Sequence, residues 1–251
     1  MRIVIKNGNL YDPSSGLDKK QDLFIVNDKI VSFGKAPDGF ESNKIIDAKD
    51  KIILPGLIDL CARLREPGSE KKGNFDSELC AANSSGITSV CTPPDTIPVA
   101  DTPAVIEFIH QRARETNKAN IYPLGALTQE LKGEQLAEMR LLKAAGCVGV
   151  SNALIEIDNT EVLRRAFEYA KSCDLTVYIY AEDQKIKNHG IIHEGAISTR
   201  LGLPAIPETA ETIAISRALL LIEQTNVRAH FSHLSTARGV ELISEAKKRG
   251  I

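Results

Sequence analysis

The side chains of this 251-residue chain that could do chemistry fall at the ends of short apolar runs. Cys61, Arg63, Arg65 and Glu66 follow Leu57-Ile58-Asp59-Leu60. Asp95 follows Thr88 to Cys91 by way of Thr92-Pro93-Pro94. Ser151-Asn152-Ala153 follows Cys147 to Val150. Tyr180-Ala181-Glu182-Asp183 closes Leu175 to Tyr180, and His230 and His233 close Val227 to Ser232. Cysteine, histidine and aspartate are zinc-ligand types, and a zinc ion would activate a water for hydrolysis. Arginine is the type that holds carboxylates. His189 and His193 flank Gly190, which argues against the helix that a ligand pair four apart needs. His110 lies between charged neighbours and reads as solvated. Glu182-Asp183 has the form of paired carboxylates for acid–base work.

These residues need elements to carry them. Arg2 to Lys6, Leu23 to Val26, Ile30 to Phe33, Ile45 to Asp47 and Ile52 to Leu54 read as short strands of a small antiparallel unit with no helix. After Pro55-Gly56 the texture changes. Six strand candidates (Leu57 to Ala62, Thr88 to Cys91, Asn120 to Gly125, Cys147 to Val150, Leu175 to Tyr180, Val227 to Ser232) alternate with helical periods. Helices are expected from Asp101-Thr102-Pro103, over Gly133 to Ala145, from a Thr160 cap, from Pro207-Glu208, and from Ser235-Thr236 to Gly250. Strand then helix, repeated, implies an α/β fold with a parallel sheet. No GxGxxG or P-loop follows the first strand, so a (β/α) barrel is favoured over an open dinucleotide-binding sheet. Functional residues of such a barrel lie at the C-terminal strand ends, where the side chains above fall.

Composition narrows the classes further. Hydrophobic residues make 43% and charged residues 25%, with a net charge of −2, so no basic face is offered to nucleic acid. No run of 18 apolar residues suggests a membrane helix. Five scattered cysteines without a CxxC pair argue for a reducing compartment, and a cytoplasmic location is expected.

Several long motifs, in order, make the chain resemble the dihydroorotases of the cyclic amidohydrolase superfamily. Ile53-Leu54-Pro55-Gly56-Leu57-Ile58-Asp59-Leu60 with Arg63-Leu64-Arg65-Glu66-Pro67-Gly68 is similar to the family's PGLIDxHxHLREPG. Tyr122 to Thr128 is similar to YPIGALT, and Ala181-Glu182-Asp183 to its AED. Glu194-Gly195, Ser198 and Leu201 to Pro207 are similar to its NEGxxSxxLGLPxIP loop, and His233 to Ala237 to its HxST segment. The resemblance implies a (β/α)8 barrel, with about six of the eight units in residues 55–251, beside a small β-sandwich in residues 1–54. It also implies a sequence that stops short of the last two units, either as a fragment or as a truncated reading frame. The segment carrying the family's catalytic aspartate would lie in those units.

Active members bind one or two zinc ions and interconvert dihydroorotate and carbamoyl aspartate. This chain departs from them at the ligands. Cys61 and Arg63 stand at the two HxH positions, Asn152-Ala153 replaces an acidic pair, and Tyr180 replaces a histidine. Only His233 is kept. An arginine stays protonated and has no lone pair to give. No metal, no cofactor and no catalytic residue are therefore expected. Arg65 matches the arginine that binds the substrate carboxylate, with a salt bridge to an acid such as Glu66 as its structural alternative. Asp95 falls in a loop one residue longer than the family's MPNT. Arg65 and Asp95 are expected as vestigial substrate-binding residues.

The resemblance further implies a pseudoenzyme that assembles with aspartate transcarbamoylase as a hetero-oligomer in pyrimidine synthesis. Two other readings stay open. One is an active cyclic amidohydrolase with an unfamiliar ligand set drawn from Cys61, Asp95, His230 and His233. The alternation of strand faces separates His230 from His233 and speaks against that set. The other is a binding module that uses Arg65 to hold a small carboxylate.

Overall fold

Alternation in Arg2–Lys6 makes a strand that buries Val4 and leaves Arg2 and Lys6 in solvent. The computed structural model describes residues 1–251 and divides into two compact units, Met1–Leu57 and Ile58–Ile251. The first holds seven strands: β1 (Arg2–Lys6), β2 (Asn9–Asp12), β3 (Leu17–Lys20), β4 (Leu23–Val26), β5 (Lys29–Phe33), β6 (Lys44–Asp47) and β7 (Ile52–Ile53). They form two sheets, ordered β5-β4-β1-β6 and β3-β2-β7. Val4, Leu10, Leu23, Phe24 and Ala48 are its buried apolar residues, and Phe40 stands edge-on to Phe24 at 5.1 Å. The antiparallel expectation holds for β1–β4, β4–β5 and β2–β3. It fails for β1–β6 and β2–β7, which are parallel. Short strands say nothing about direction, which the long connections decide here. β2 and the charge-rich β3 both lie outside the strands expected from the sequence.

The second unit is built on a six-stranded sheet with the order β15-β12-β11-β10-β9-β8. Its strands are β8 (Leu57–Asp59), β9 (Ile87–Thr92), β10 (Asn120–Ala126), β11 (Gly149–Ser151), β12 (Thr176–Tyr180) and β15 (Ala229–Ser232). The pairs from β9 to β15 are parallel, as the alternating pattern requires. The connecting helices are α1 (Phe75–Ser84), α2 (Pro103–Thr116), α3 (Met139–Ala144), α4 (Thr160–Ser172), α7 (Thr209–Thr225) and α8 (Ala237–Lys248). An excursion between β12 and α7 holds α5 (Gln184–Lys187), β13 (Ile192–His193), α6 (Ala196–Leu201) and β14 (Ala205–Ile206).

α4 shows why a helix forms where it does. The Asn159 side chain, one residue before the expected Thr160, accepts from the amides of Glu161 and Val162 and caps the helix. Leu163, Ala166, Phe167 and Ala170 then recur at helical spacing and are buried against Val150, Leu175 and Val177. β11 approaches β12 closely through Gly149, where a Cβ would come within 2.7 Å of the Thr176 carbonyl oxygen. A second buried cluster joins Phe75 and Leu79 of α1 to Val90, Ile106, Ile109, Ile121 and Leu142.

Two expectations need correction. The helix expected over Gly133 to Ala145 is only Met139–Ala144. Gly133 sits at φ +74°, and a Thr128–Leu136 bridge holds the earlier residues in a loop. The first barrel strand ends at Asp59 rather than Ala62, although the Ala62 amide still donates to the Cys91 carbonyl at 2.9 Å. α1, opened by the reciprocal Asn74–Ser77 capping box, was not anticipated.

Candidate functional site: the mouth of the sheet

Arg63 is the hinge of the site. Its Nε donates to Asp95 Oδ2 at 2.6 Å, joining the end of β8 to the loop after β9. The two side chains are 22% and 30% exposed, so the pair is shielded but not sealed. Arg63 Nη2 is buried and has no hydrogen-bond partner. Arg65, at φ +68°, lines the same recess of about 450 Å³ with Ser69, Thr92 and Thr96. The alternative partner for Arg65 is excluded, because Glu66 is committed elsewhere. Its carboxylate accepts from Arg112 Nε and from the Phe75 amide, both at 2.9 Å, and it is 7% exposed. No ion pair holds Arg65.

The other strand ends are equally committed. Asn152, 6% exposed, accepts from Thr128 Oγ1 at 2.7 Å. Its amide nitrogen donates to the carbonyls of Leu131 and Ile155 at 3.1 and 3.0 Å. It is a loop clamp. Tyr180 donates to Glu182 Oε2 at 2.7 Å, and Lys187 Nζ reaches the same oxygen at 2.5 Å. Burial, and then that bond to Glu182, push the Tyr180 phenol well above its ordinary value, so it stays neutral. Burial works against the charged Glu182 carboxyl, yet Lys187 and Tyr180 hold its pKa below the ordinary value. Asp183 caps α5 by accepting from the amides of Lys185 and Ile186. The acidic pair is therefore structural, as its surroundings require.

His233 leaves β15 at φ +59° and turns its ring edge-on to Tyr180, with centroids 5.7 Å apart. Its Nδ1 lies 3.0 Å from Ser232 Oγ. Strand alternation does not govern His233, because it lies beyond the strand. His230 packs against the Tyr178 ring at 5.1 Å, and burial pushes its pKa down. His189 and His193 are exposed. His110 is half-buried rather than solvated, with Nε2 facing Gly146 and without a partner.

Cys61, Arg63, Ser151, Tyr178, Ser232 and His233 share a smaller recess of about 260 Å³. Burial pushes the Cys61 thiol above its ordinary value and outweighs the help of Arg63. A zinc site needs three or four neutral-imidazole, thiolate or carboxylate ligands. At this mouth the imidazole of His233 stands beside a guanidinium, a neutral phenol and a spent amide. No group of three or more His, Cys, Asp or Glu side chains is placed to hold a metal ion. The donor set does not fit zinc.

Sequence reasoning missed Glu211, the residue that holds the His233 segment. It is 8% exposed and accepts from the amides and hydroxyls of both Ser235 and Thr236, at 2.6 to 3.1 Å. An acid on the apolar stripe Glu211, Ala214, Ile215, Ala218 was the available signal.

A parallel sheet with helices between its strands, and candidate residues at the strand ends, make a partial (β/α) barrel. The comparisons agree. L-hydantoinase (dihydropyrimidinase) from Arthrobacter aurescens superimposes with a TM-score of 0.80 at 24% identity, over 99% of this chain and 56% of that one. The dihydro-orotase-like family model matches residues 50–239, and the chain belongs to that family. It is 49% identical over 251 residues to a dihydroorotase-like protein of Pseudomonas aeruginosa and 43% identical over 254 residues to a dihydroorotase of Pelobacter propionicus. Each match covers 100% of this chain and 59% of the relative's length.

Proposed function

We propose that this chain belongs to a catalytically silent dihydroorotase-like protein that serves pyrimidine synthesis as a structural partner of aspartate transcarbamoylase. One observation carries the silent reading. Three side chains at the positions where the resemblance implies ligands are engaged by other neighbours, Arg63 by Asp95, Asn152 by Thr128 and two backbone carbonyls, and Tyr180 by Glu182, and Arg63 brings a fixed positive charge where a dication would sit. Polarising a cyclic amide and generating hydroxide at neutral pH both need the metal. The transcarbamoylase partnership is supported by the family resemblance, and by the sense of keeping a folded barrel whose chemistry is gone.

Two measurements test the two halves. Protein purified without chelator from zinc-supplemented cells is expected to hold less than about a tenth of an equivalent of zinc, with no dihydroorotate turnover. Stoichiometric zinc with chelator-sensitive turnover refutes the silent reading. The intact protein, co-expressed with its own transcarbamoylase, is expected to co-elute with it on size exclusion at micromolar concentration. Separate elution refutes the partnership. The zinc and turnover measurement also tests the active-hydrolase alternative with Cys61, Asp95, His230 and His233 as ligands, which the lack of any cluster of three or more such side chains disfavours.

A further inference from the structure

Ala62 carries the ladder of the sheet past the end of β8. Its amide donates to the Cys91 carbonyl at 2.9 Å. In a parallel pair such a bond fixes which residues stand opposite each other. The Val177 amide donates to the Arg228 carbonyl in the same way, and Val177 faces Ala229. By the same step Ala62 faces Thr92, and Cys61 faces Cys91. Neighbouring strands run about 4.8 Å apart. Disulfides join residues whose Cα atoms lie roughly 4.4–6.8 Å apart, so the spacing suits a bond between these two.

The two thiols also share a face. Ala62 and Val90 pack into the cluster that α1 and α2 cover. Successive side chains alternate, so Cys61 and Cys91 point to the opposite, inner face. Tyr178 marks that face. It lines the recess that holds Cys61, and it stands beside the Cys91 thiol. The other three thiols lie elsewhere. Cys147 belongs to the cluster under the helices, Cys80 lies on α1, and Cys173 follows the last turn of α4.

We propose that Cys61 and Cys91 are a reversible redox pair, which hydrogen peroxide oxidises to a disulfide joining the ends of β8 and β9 just before the Arg63–Asp95 ion pair. Cys61 is half-buried and meets the oxidant, while Cys91, 5% exposed, resolves it from inside. The Cys61 thiolate attacks one peroxide oxygen, the O–O bond breaks, and the hydroxide that leaves takes up a proton to become water. The Cys91 sulfur then attacks the Cys61 sulfenic acid, the S–O bond breaks, and a second water departs with the Cys91 proton. The two thiols lose two electrons in all, and the peroxide gains them. Burial holds the Cys61 thiol above its ordinary value, so the bond forms slowly at neutral pH and answers sustained oxidant. Neighbouring strands hold opposed Cβ atoms wider than the roughly 3.8 Å of a relaxed disulfide. The bond is therefore easily reduced, as regulatory disulfides are. The inference rests on the strand register and stands apart from the proposed function.

The probe is hydrogen peroxide, added to the intact, fully reduced protein, with the products mapped as non-reduced peptides by mass spectrometry. The peptide carrying Cys61 is expected to appear joined to the peptide carrying Cys91, at the sum of their masses less two hydrogens. Dithiothreitol is expected to restore both thiols. Cys61→Ser is expected to leave Cys91 unmodified. Cys91→Ser is expected to let Cys61 go on to its sulfinic acid, because no thiol resolves the sulfenic acid. Oxidation in concentrated urea is expected to lose the preference for this pairing. The wild-type map and its urea control decide the matter even if a variant folds poorly.

Four results overturn the proposal. The first is Cys61 and Cys91 both still free when the exposed Cys80 has been carried to its sulfonic acid. The second is wild-type Cys61 passing to its sulfinic acid with Cys91 untouched. The third is Cys61 joined to any thiol other than Cys91. The fourth is a Cys61–Cys91 link that forms as selectively in urea as in the folded protein, which would take the strand register out of the explanation.

Discussion

Glu211→Ala is expected to lower the unfolding free energy by about 3 kcal/mol, measured by urea denaturation at pH 7. The substitution leaves two amides and two hydroxyls without their acceptor, and the Thr236 pair is buried. It also removes the anchor that joins α7 to the start of α8. The segment from His233 to Thr236 should then lose its fixed geometry, and the His233 ring resonances should broaden or shift. The effect has a pH signature. Burial alone would raise the Glu211 pKa, but its donors outweigh burial and hold it below 4.5. A carboxyl with a lowered folded-state pKa stabilises the protein fully above its unfolded value. Its contribution is therefore complete above about pH 5 and is lost as the pH falls through the folded-state pKa. The difference between wild type and Glu211→Ala should shrink in acid. A difference that stays constant from neutral pH down to about pH 3 would remove the charge from the explanation.

The second large effect concerns Asn152. Restoring an acid there is the obvious way to rebuild the family's metal-bridging pair. The structure says that Asn152→Asp will instead damage the loop, by about 3 kcal/mol or more at pH 7. The amide nitrogen of Asn152 donates to two carbonyl oxygens, of Leu131 and Ile155. A carboxylate oxygen in its place would face both with no proton to share. The replacement should bind no zinc and should recover stability as the pH drops and the new carboxyl protonates. A variant as stable as wild type at pH 7, or one that gains stoichiometric zinc, would show that the clamp is not what fixes this residue.

Much of this was legible because the signals were local. Strand runs bounded by helical periods, and motifs such as Pro55-Gly56-Leu57-Ile58-Asp59, survive in sequence whatever the packing. The residue types at Arg63 and Tyr180, where the resemblance implies ligands, were legible for the same reason, since the chemistry of a side chain travels with its letter. Pairings did not travel. Arg63 and Asp95 lie 32 residues apart, and Arg112 and Glu66 lie 46 apart, so neither bond had a spacing to betray it. Glu66 sits next to Arg65 in sequence yet serves Arg112, because helix α2 brings Arg112 across the start of α1. The direction of β6 and β7 was hidden too, because strands of two to four residues carry no mark of parallel or antiparallel pairing.

The thiols turn the packing around the sheet into a clock. Burial pushes the Cys147 thiol up to about 12, and it raises the Cys91 thiol as well. Cys80, on α1, is exposed. A thiol reacts as its thiolate and only where reagent reaches it. Alkylation should thus mark Cys80 at once, while Cys91 and Cys147 wait for the strands around them to part. Their labelling rates, followed by mass spectrometry, would time how often each side of the sheet breathes without unfolding the chain.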